Sequence, residues 1–165
     1  EARISSAVLK RPDYERHHTL GINARMADEV AKLGRIQLSQ ADWLLDCRRR
    51  AAKHYAAAVK GCSWIKPQHV PPGWTHDYWT YAVALQSADL WEPFTRAIVR
   101  HGGEMPYGAW RITYMEPAFR HLAEPGTCPV AEGLQPRLCQ FQTNSVPSAQ
   151  ANADAIHQAI RELDG

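Results

Sequence analysis

Gly21-Ile22-Asn23-Ala24-Arg25-Met26 stands directly ahead of a long helical stretch, and its residue types could hold an anion. The first turn of a helix leaves backbone N–H groups without partners, an Asn amide donates, and Arg adds a fixed positive charge on a planar fork. A turn glycine, an N-capping Asn and a solvated Arg explain the same residues, and such residues are common ahead of helices. The residues alone favour that plainer account. No self-contained catalytic motif accompanies the loop: GxSxG, GxGxxG and GxxxxGK are all absent from the sequence.

The other chemistry-bearing residues have plain explanations too. Eight histidines invite a metal hypothesis, yet His17 and His18 are adjacent, the rest are scattered, and no HxxxH or HExxH spacing occurs. No metal site is expected. Cys47, Cys62, Cys128 and Cys139 form no CxxC pair, so neither a zinc ribbon nor a thioredoxin-type site follows. Cys47 sits beside Ala and Leu as a small apolar filler, and a reduced, cytoplasmic protein is the simplest reading. Arg48-Arg49-Arg50 and Lys53 fan around a helix and are offset by Glu29, Asp42 and Asp46, as on a solvated helix face. Trp74, Tyr78, Trp79, Tyr81 and Trp91 are conceivable as a stacking platform, but strand alternation already explains them as core.

Composition narrows the class. The chain has 165 residues, 45% apolar and 22% charged, with a net charge of +2. That suits one folded domain or part of a larger protein, and gives no basic bias of the kind a general nucleic-acid binder carries. No run approaches a membrane span and no signal peptide is visible. The chain opens on Glu1 without an initiator Met, which reads as a beginning in mid-stream, as in a fragment, a processed product or a trimmed chain.

The elements that must position these residues follow from periodicity. Arg3 to Leu9 is a short helix or strand, and Pro12-Asp13 a turn. Met26 to Lys60 is helical and too long for one element, so a break is expected at Ser39 to Asp42, with Ser39 or Asp42 capping the second helix and Gly61 ending it. Ser63-Trp64-Ile65 is a strand candidate. Tyr78 to Leu85 is a stronger one, with Trp79, Tyr81, Val83 and Leu85 on one face. Ala88 to His101 is an amphipathic helix that presents Leu90, Phe94, Ala97 and Ile98 inward and stops at Gly102-Gly103. A further strand is expected within Tyr107 to Tyr114, a short helix over Pro129 to Leu134, and a final helix capped by Ser148. The order predicts an α+β domain with a small antiparallel sheet covered by helices.

In order along the chain, these residues resemble the DegT–StrS family of pyridoxal-phosphate enzymes that modify nucleotide sugars. The resemblance is carried by Gly21, Asn23, Arg25 and Met26, then Gly34, Gln37, Leu38, Asp42, Arg48, Ala52 and Tyr55, then His76-Asp77-Tyr78, then Cys128-Pro129-Val130-Ala131-Glu132. It implies the small C-terminal domain of an aspartate-aminotransferase-like fold. Residues 1–24 would connect from a large domain and 25–165 would form the small domain.

The resemblance further implies transfer of an amino group from glutamate or glutamine to a keto sugar, nucleotide-linked, or a keto-cyclitol, with pyridoxal 5'-phosphate as cofactor. Active sites would lie at a homodimer interface. Asn23 would reach the cofactor phosphate of the partner subunit, aided by Arg25. Substrate contacts would come from the loop Tyr107 to Phe119, with Tyr107, Tyr114 and Glu116 as candidates. Family members often carry a His near the end of this loop, where Tyr114-Met115-Glu116-Pro117 stands here, so the sugar is left open. Glu29 and Lys32 replace small or apolar residues, as in a diverged branch.

No catalytic residue is expected in this chain. The Schiff-base lysine of the family belongs to the large domain, and Lys10, Lys32, Lys53, Lys60 and Lys66 are not in its context. Two alternatives stay open: a non-catalytic dimerisation module derived from the family, and a fragment of a sugar dehydratase, in which a His replaces that lysine.

Overall fold

The computed structural model of the chain describes residues 26–165. The expectations for Arg3 to Leu9, for Pro12-Asp13 and for the Gly21 loop with Asn23 and Arg25 therefore lie outside the described residues. The chain divides into two compact units, Glu1–Ser39 and Gln40–Gly165.

In the first unit, helix α1 spans Asp28–Ser39 with Asp28 and Glu29 in its first turn, where negative charge complements the helix dipole. None of its residues is buried, and Val30, Leu33 and Ile36 are exposed along a three-residue spacing.

In the second unit, helix α2 spans Ala41–Ala58. The helical break expected near Ser39 is present, but the capping differs. Gln40 is the N-cap and makes no side-chain capping bond, while the Ser39 hydroxyl donates backward to the Ile36 carbonyl at 2.7 Å. A Ser at the end of a helix finds a free carbonyl behind it sooner than a free N–H ahead.

Strands β1 (Ile65–Pro67), β2 (Thr80–Leu85) and β3 (Leu138–Gln142) form one antiparallel sheet in the order β1-β2-β3. Register pairs Ile65 with Leu85, and Val83 with both Pro67 and Cys139. The first strand thus lies two residues later than Ser63-Trp64-Ile65. The strand expected within Tyr107 to Tyr114 reduces to a single bridge between Tyr107 and Gln140, because Gly108 follows at once and the chain then turns through a 3-10 element at Thr113–Met115. The third strand, β3, was not anticipated. Its signal is short and half polar: only Cys139 and Phe141 of Leu-Cys-Gln-Phe-Gln face the core.

Helix α3 (Trp91–Arg100) follows a 3-10 turn at Ala88–Leu90 and buries Phe94, Ala97 and Ile98, as its periodicity requires. Gly102 stops it at φ +84°. A Cβ on Gly103 would stand 2.7 Å from the Ile98 side chain and 2.8 Å from Ala155, so no side chain fits there. Helix α4 covers Pro129–Leu134, with Pro at its start as expected. Helix α5 covers Val146–Asp164. Its N-cap is Ser145, whose hydroxyl accepts from the Ser148 N–H at 3.3 Å. Ser148 is the residue that is capped, not the cap, since Pro147 already has the helical φ that suits a first-turn position.

Helix α5 packs against both α2 and α3 on one face of the sheet. Tyr81, Val83, Leu85, Cys139 and Phe141 point into that layer and meet Tyr55, Phe94, Ile98 and Ile156. The Tyr55 ring stacks on Phe141 with centroids 5.2 Å apart, and its hydroxyl donates to the Gln142 carbonyl at 2.7 Å. All four cysteines are free. Cys139, not Cys47, is the fully buried one; burial pushes its thiol up to about 12, so it remains a neutral core side chain. Among the described residues no helix is long and apolar enough to cross a membrane, and no three His, Cys, Asp or Glu side chains gather as a metal site.

Candidate functional site

The helices leave the other face of the sheet open. Thr80, Ala82, Gln140 and Gln142 alternate with the core residues and point to this side, half-buried. Tyr107 joins it from the free edge of β3: its N–H donates to the Gln140 carbonyl at 3.0 Å, and its carbonyl accepts from the Gln140 N–H at 2.8 Å. The Tyr107 ring is exposed, and its hydroxyl accepts from Gln142 Nε2 at 3.2 Å. The Gln140 side chain is engaged at both ends, its Oε1 receiving from the Thr80 hydroxyl at 3.1 Å and its Nε2 donating to the Gly108 carbonyl at 3.2 Å.

A strained residue sets the other wall. Tyr78 has φ +46°, a conformation that a bulky residue holds only when its surroundings impose it. His76 Nδ1 accepts from the Tyr78 N–H at 2.8 Å and the two rings lie 4.3 Å apart. The buried Thr143 hydroxyl lies against the Tyr78 and Trp79 carbonyls, at 3.0 Å from the latter. Arg49 pairs with Asp77 at 2.5 Å. The strand therefore starts at Thr80, not Tyr78. Trp79 is displaced from the core face it was expected to share with Tyr81 and is 76% exposed. This arrangement is the physical content of the His-Asp-Tyr run: it turns an aromatic residue out of the core.

Trp79, Tyr107, Trp110, Arg48, Gln142 and Asn144 border a cleft of about 440 Å³. Arg48 projects from α2 and also lines a neighbouring hollow with Thr143 and Asn144. Within the basic run, Arg49 and Arg50 are paired, with Asp77 and with Asp46 at 2.9 Å; Arg48 makes no ion pair to a described residue. Sequence reasoning did not select Trp110, Gln142 or Asn144, and took Arg48 as a motif residue and part of a solvated helix face, not as a site residue. The signal that could have found Gln142 lies in the alternation of β3.

Tyr114 and Glu116 do not line this cleft. The Tyr114 hydroxyl donates to Glu132, the last residue of the Cys-Pro-Val-Ala-Glu run, through a short hydrogen bond. Glu132 also accepts from the Gly126 N–H at 2.8 Å and the Cys128 N–H at 3.2 Å. Glu132 thus ties the Tyr114 loop to the start of α4. Glu116 is half-buried, and its backbone joins two successive 3-10 turns, with its N–H donating to the Thr113 carbonyl at 3.1 Å.

The Tyr114 hydrogen bond, followed by the backbone donors, holds the Glu132 carboxyl below its ordinary value, and the same bond raises the Tyr114 hydroxyl to about 12. A depressed carboxylate stabilises the fold above its unfolded value of 4.5 and loses that contribution as pH falls through the lower folded value. The Gly126 and Cys128 amide resonances are expected to titrate together with a midpoint below 4.5, and Glu132→Gln to abolish the transition. Independent midpoints for the two amides would show that Glu132 does not join them.

The described lysines, Lys32, Lys53, Lys60 and Lys66, are all exposed. Asn23 and Arg25 offer a neutral donor and a cation, a set that fits a phosphate, whereas Asp28 and Glu29 already answer the dipole of α1.

Comparison with known proteins places this geometry. The model of the DegT/DnrJ/EryC1/StrS aminotransferase family matches residues 3–160. No curated protein matches significantly. Among solved structures, an aminotransferase from Psychrobacter cryohalolentis superimposes with a TM-score of 0.78 at 23% identity, covering 98% of this chain and 47% of its own. S. venezuelae DesV, solved with a ketimine intermediate, gives 0.74 at 21% identity, covering 91% and 40%. Helicobacter pylori PseC, an aminotransferase of pseudoaminic acid biosynthesis, gives 0.72 at 18%, covering 93% and 43%. The chain thus spans less than half the length of these structures, and its fold is the corresponding part of theirs.

Proposed function

Because this chain belongs to the DegT/DnrJ/EryC1/StrS aminotransferase family, we propose that it is the small C-terminal domain of a pyridoxal-phosphate-dependent sugar aminotransferase, residues 25–165, entered through a connecting segment of residues 1–24. The family match across 158 residues (3–160) carries the proposal. In this reading the complete protein is a cytoplasmic homodimer that moves an amino group from glutamate or glutamine to a keto sugar, nucleotide-linked, or a cyclitol.

Pyridoxal 5'-phosphate, when bound, supplies the electron sink that lets an amine leave one carbon skeleton and join another. The residues of this chain bind and orient. The Asn23 amide donates to the phosphate held by the partner subunit, and Arg25 adds the compensating charge. Tyr107 and Glu116 present a hydroxyl and a carboxylate to the sugar. Tyr114, its hydroxyl engaged by Glu132, offers its ring and fixes the loop. The proton-transferring lysine comes from the large domain.

Two preparations test the proposal. The 165-residue chain is expected to add no new absorption band to pyridoxal phosphate and to transaminate nothing. The same residues expressed behind a large domain of the family encoded in the same reading frame are expected to convert glutamate to its keto acid in the presence of a keto-sugar nucleotide. A cofactor band from the chain alone, or no turnover from the complete protein across keto sugars and cyclitols, would overturn it.

A further inference from the structure

The Trp79 wall of the cleft depends on one backbone conformation, and a proton can break one of the contacts that hold it. Tyr78 stands at φ +46°, where a bulky residue is strained. Three contacts keep it there. The buried Thr143 hydroxyl donates to the Tyr78 carbonyl. The Tyr78 ring stacks on Tyr81 of β2 with centroids 5.9 Å apart. His76 Nδ1 accepts from the Tyr78 N–H at 2.8 Å, and the two rings lie 4.3 Å apart. Trp79 follows, exposed, and lines the cleft with Tyr107 and Trp110. Residues two apart on an extended strand share a face. An extended Tyr78 would therefore carry Trp79 toward the side of Tyr81 and away from the cleft.

We propose that His76 is a positioning residue switched by a proton. With its imidazole neutral, Tyr78 stays left-handed and Trp79 walls the cleft; with its imidazole charged, both are released. A neutral imidazole accepts at Nδ1 when its proton sits on Nε2, whereas the imidazolium carries an N–H on both nitrogens and accepts at neither. Protonation therefore sets a donor against the Tyr78 N–H and leaves strained backbone without one of its three supports. Histidine changes charge between about pH 5 and 8, a range in which hydroxyl and phenol groups keep their protons. The support is thus present at neutral pH and is lost as pH falls through the imidazole titration. Neighbouring charges do not replace it. Asp77, on the same loop, pairs with Arg49 of α2, while β3 presents the neutral Thr143 and β2 the Tyr81 ring. Among the described residues the histidine with a carboxylate partner is His101, on Glu162, so no described carboxylate stands ready to hold the His76 imidazolium. The proposal does not rest on the aminotransferase reading, because it concerns where Trp79 stands and not what the cleft admits.

The test follows the 165-residue chain by NMR from about pH 8 to about pH 5, with indole N–H resonances assigned through Trp79→Phe and Trp91→Phe. The Trp79 indole and the Tyr78 amide are expected to move together, at the midpoint of the His76 ring protons. The ratio of held to released chain is expected to fall about five- to tenfold, the value of one hydrogen bond. The Trp91 indole, which donates to the Leu138 carbonyl at 2.9 Å, is expected to stay fixed and so report that the domain remains folded. His76→Asn offers the same N–H an acceptor that does not titrate, as in an Asx turn, and is expected to keep Trp79 at its neutral-pH position throughout. His76→Phe keeps a ring against Tyr78 but has no acceptor, and is expected to leave Trp79 at its acid position at every pH. The proposal fails if the His76 ring titrates while Trp79 does not move, if His76→Asn retains the response, or if His76→Phe matches the unsubstituted chain at neutral pH. It fails equally if Trp91 moves with the same midpoint, since that marks loss of the whole fold and not a local release.

Discussion

Tyr55→Ala is expected to unfold the second unit or bring it to the edge of unfolding. Tyr55 is fully buried, its ring lies 5.2 Å from Phe141 and 5.7 Å from Tyr81, and it connects α2 to both β2 and β3. Truncating a buried aromatic side chain costs about 3–5 kcal/mol, against a total stability of about 5–15 kcal/mol for an ordinary domain. Its hydroxyl adds a smaller effect. Tyr55→Phe keeps the ring but leaves the Gln142 carbonyl without its donor, a loss of about 1–2 kcal/mol. Urea denaturation followed by circular dichroism measures both. A midpoint for Tyr55→Ala close to that of the unsubstituted chain would mean that the three aromatic rings do not form the core.

Asn23→Asp in the complete protein is expected to weaken cofactor binding more than any other substitution in this chain. The proposed role of the amide is to donate to a phosphate. Replacement by a carboxylate removes the donor and sets a negative charge against the phosphate. A hydrogen bond to a charged group contributes about 1.5–3 kcal/mol, so loss of the bond alone weakens binding by about 10- to 100-fold, and repulsion adds to it. Asn23→Ala isolates the loss of the bond. Equilibrium dialysis of pyridoxal phosphate reads the dissociation constant directly. Equal affinity in both variants and the unsubstituted protein would remove Asn23 from the site.

How much of this was legible in the sequence depended on how local each signal was. Helices α3 and α4 were readable because Phe94, Ala97 and Ile98 recur at helical spacing and Pro129 marks a start. The break near Ser39 was readable from helix length, while its cap was not, because a serine hydroxyl chooses between carbonyls behind and N–H groups ahead. Strand β3 escaped notice because two core residues in five give little periodicity, and its partner β2 lies more than fifty residues earlier. Trp79 was misplaced because alternation assumes extended backbone, and the left-handed Tyr78 interrupts it. At the candidate site, the His76 and Glu132 runs were recognised as motifs. Their mechanical roles, turning Trp79 outward and tying Tyr114 to α4, required coordinates. Arg48 was readable as a motif residue, but that Arg49 and Arg50 find acids while Arg48 makes no ion pair to a described residue required coordinates.

Subunit complementation tests the central claim most directly, that this chain completes a cofactor site belonging to another subunit. Complete protein carrying Asn23→Asp is mixed and reassociated with complete protein lacking the large-domain lysine. Each variant alone is expected to be inactive. In a twofold dimer the mixture forms about half heterodimers with one intact site in two, restoring about a quarter of full activity. Activity no greater than the sum of the separate variants, with heterodimers demonstrably formed, would place Asn23 in its own subunit's site and contradict the account.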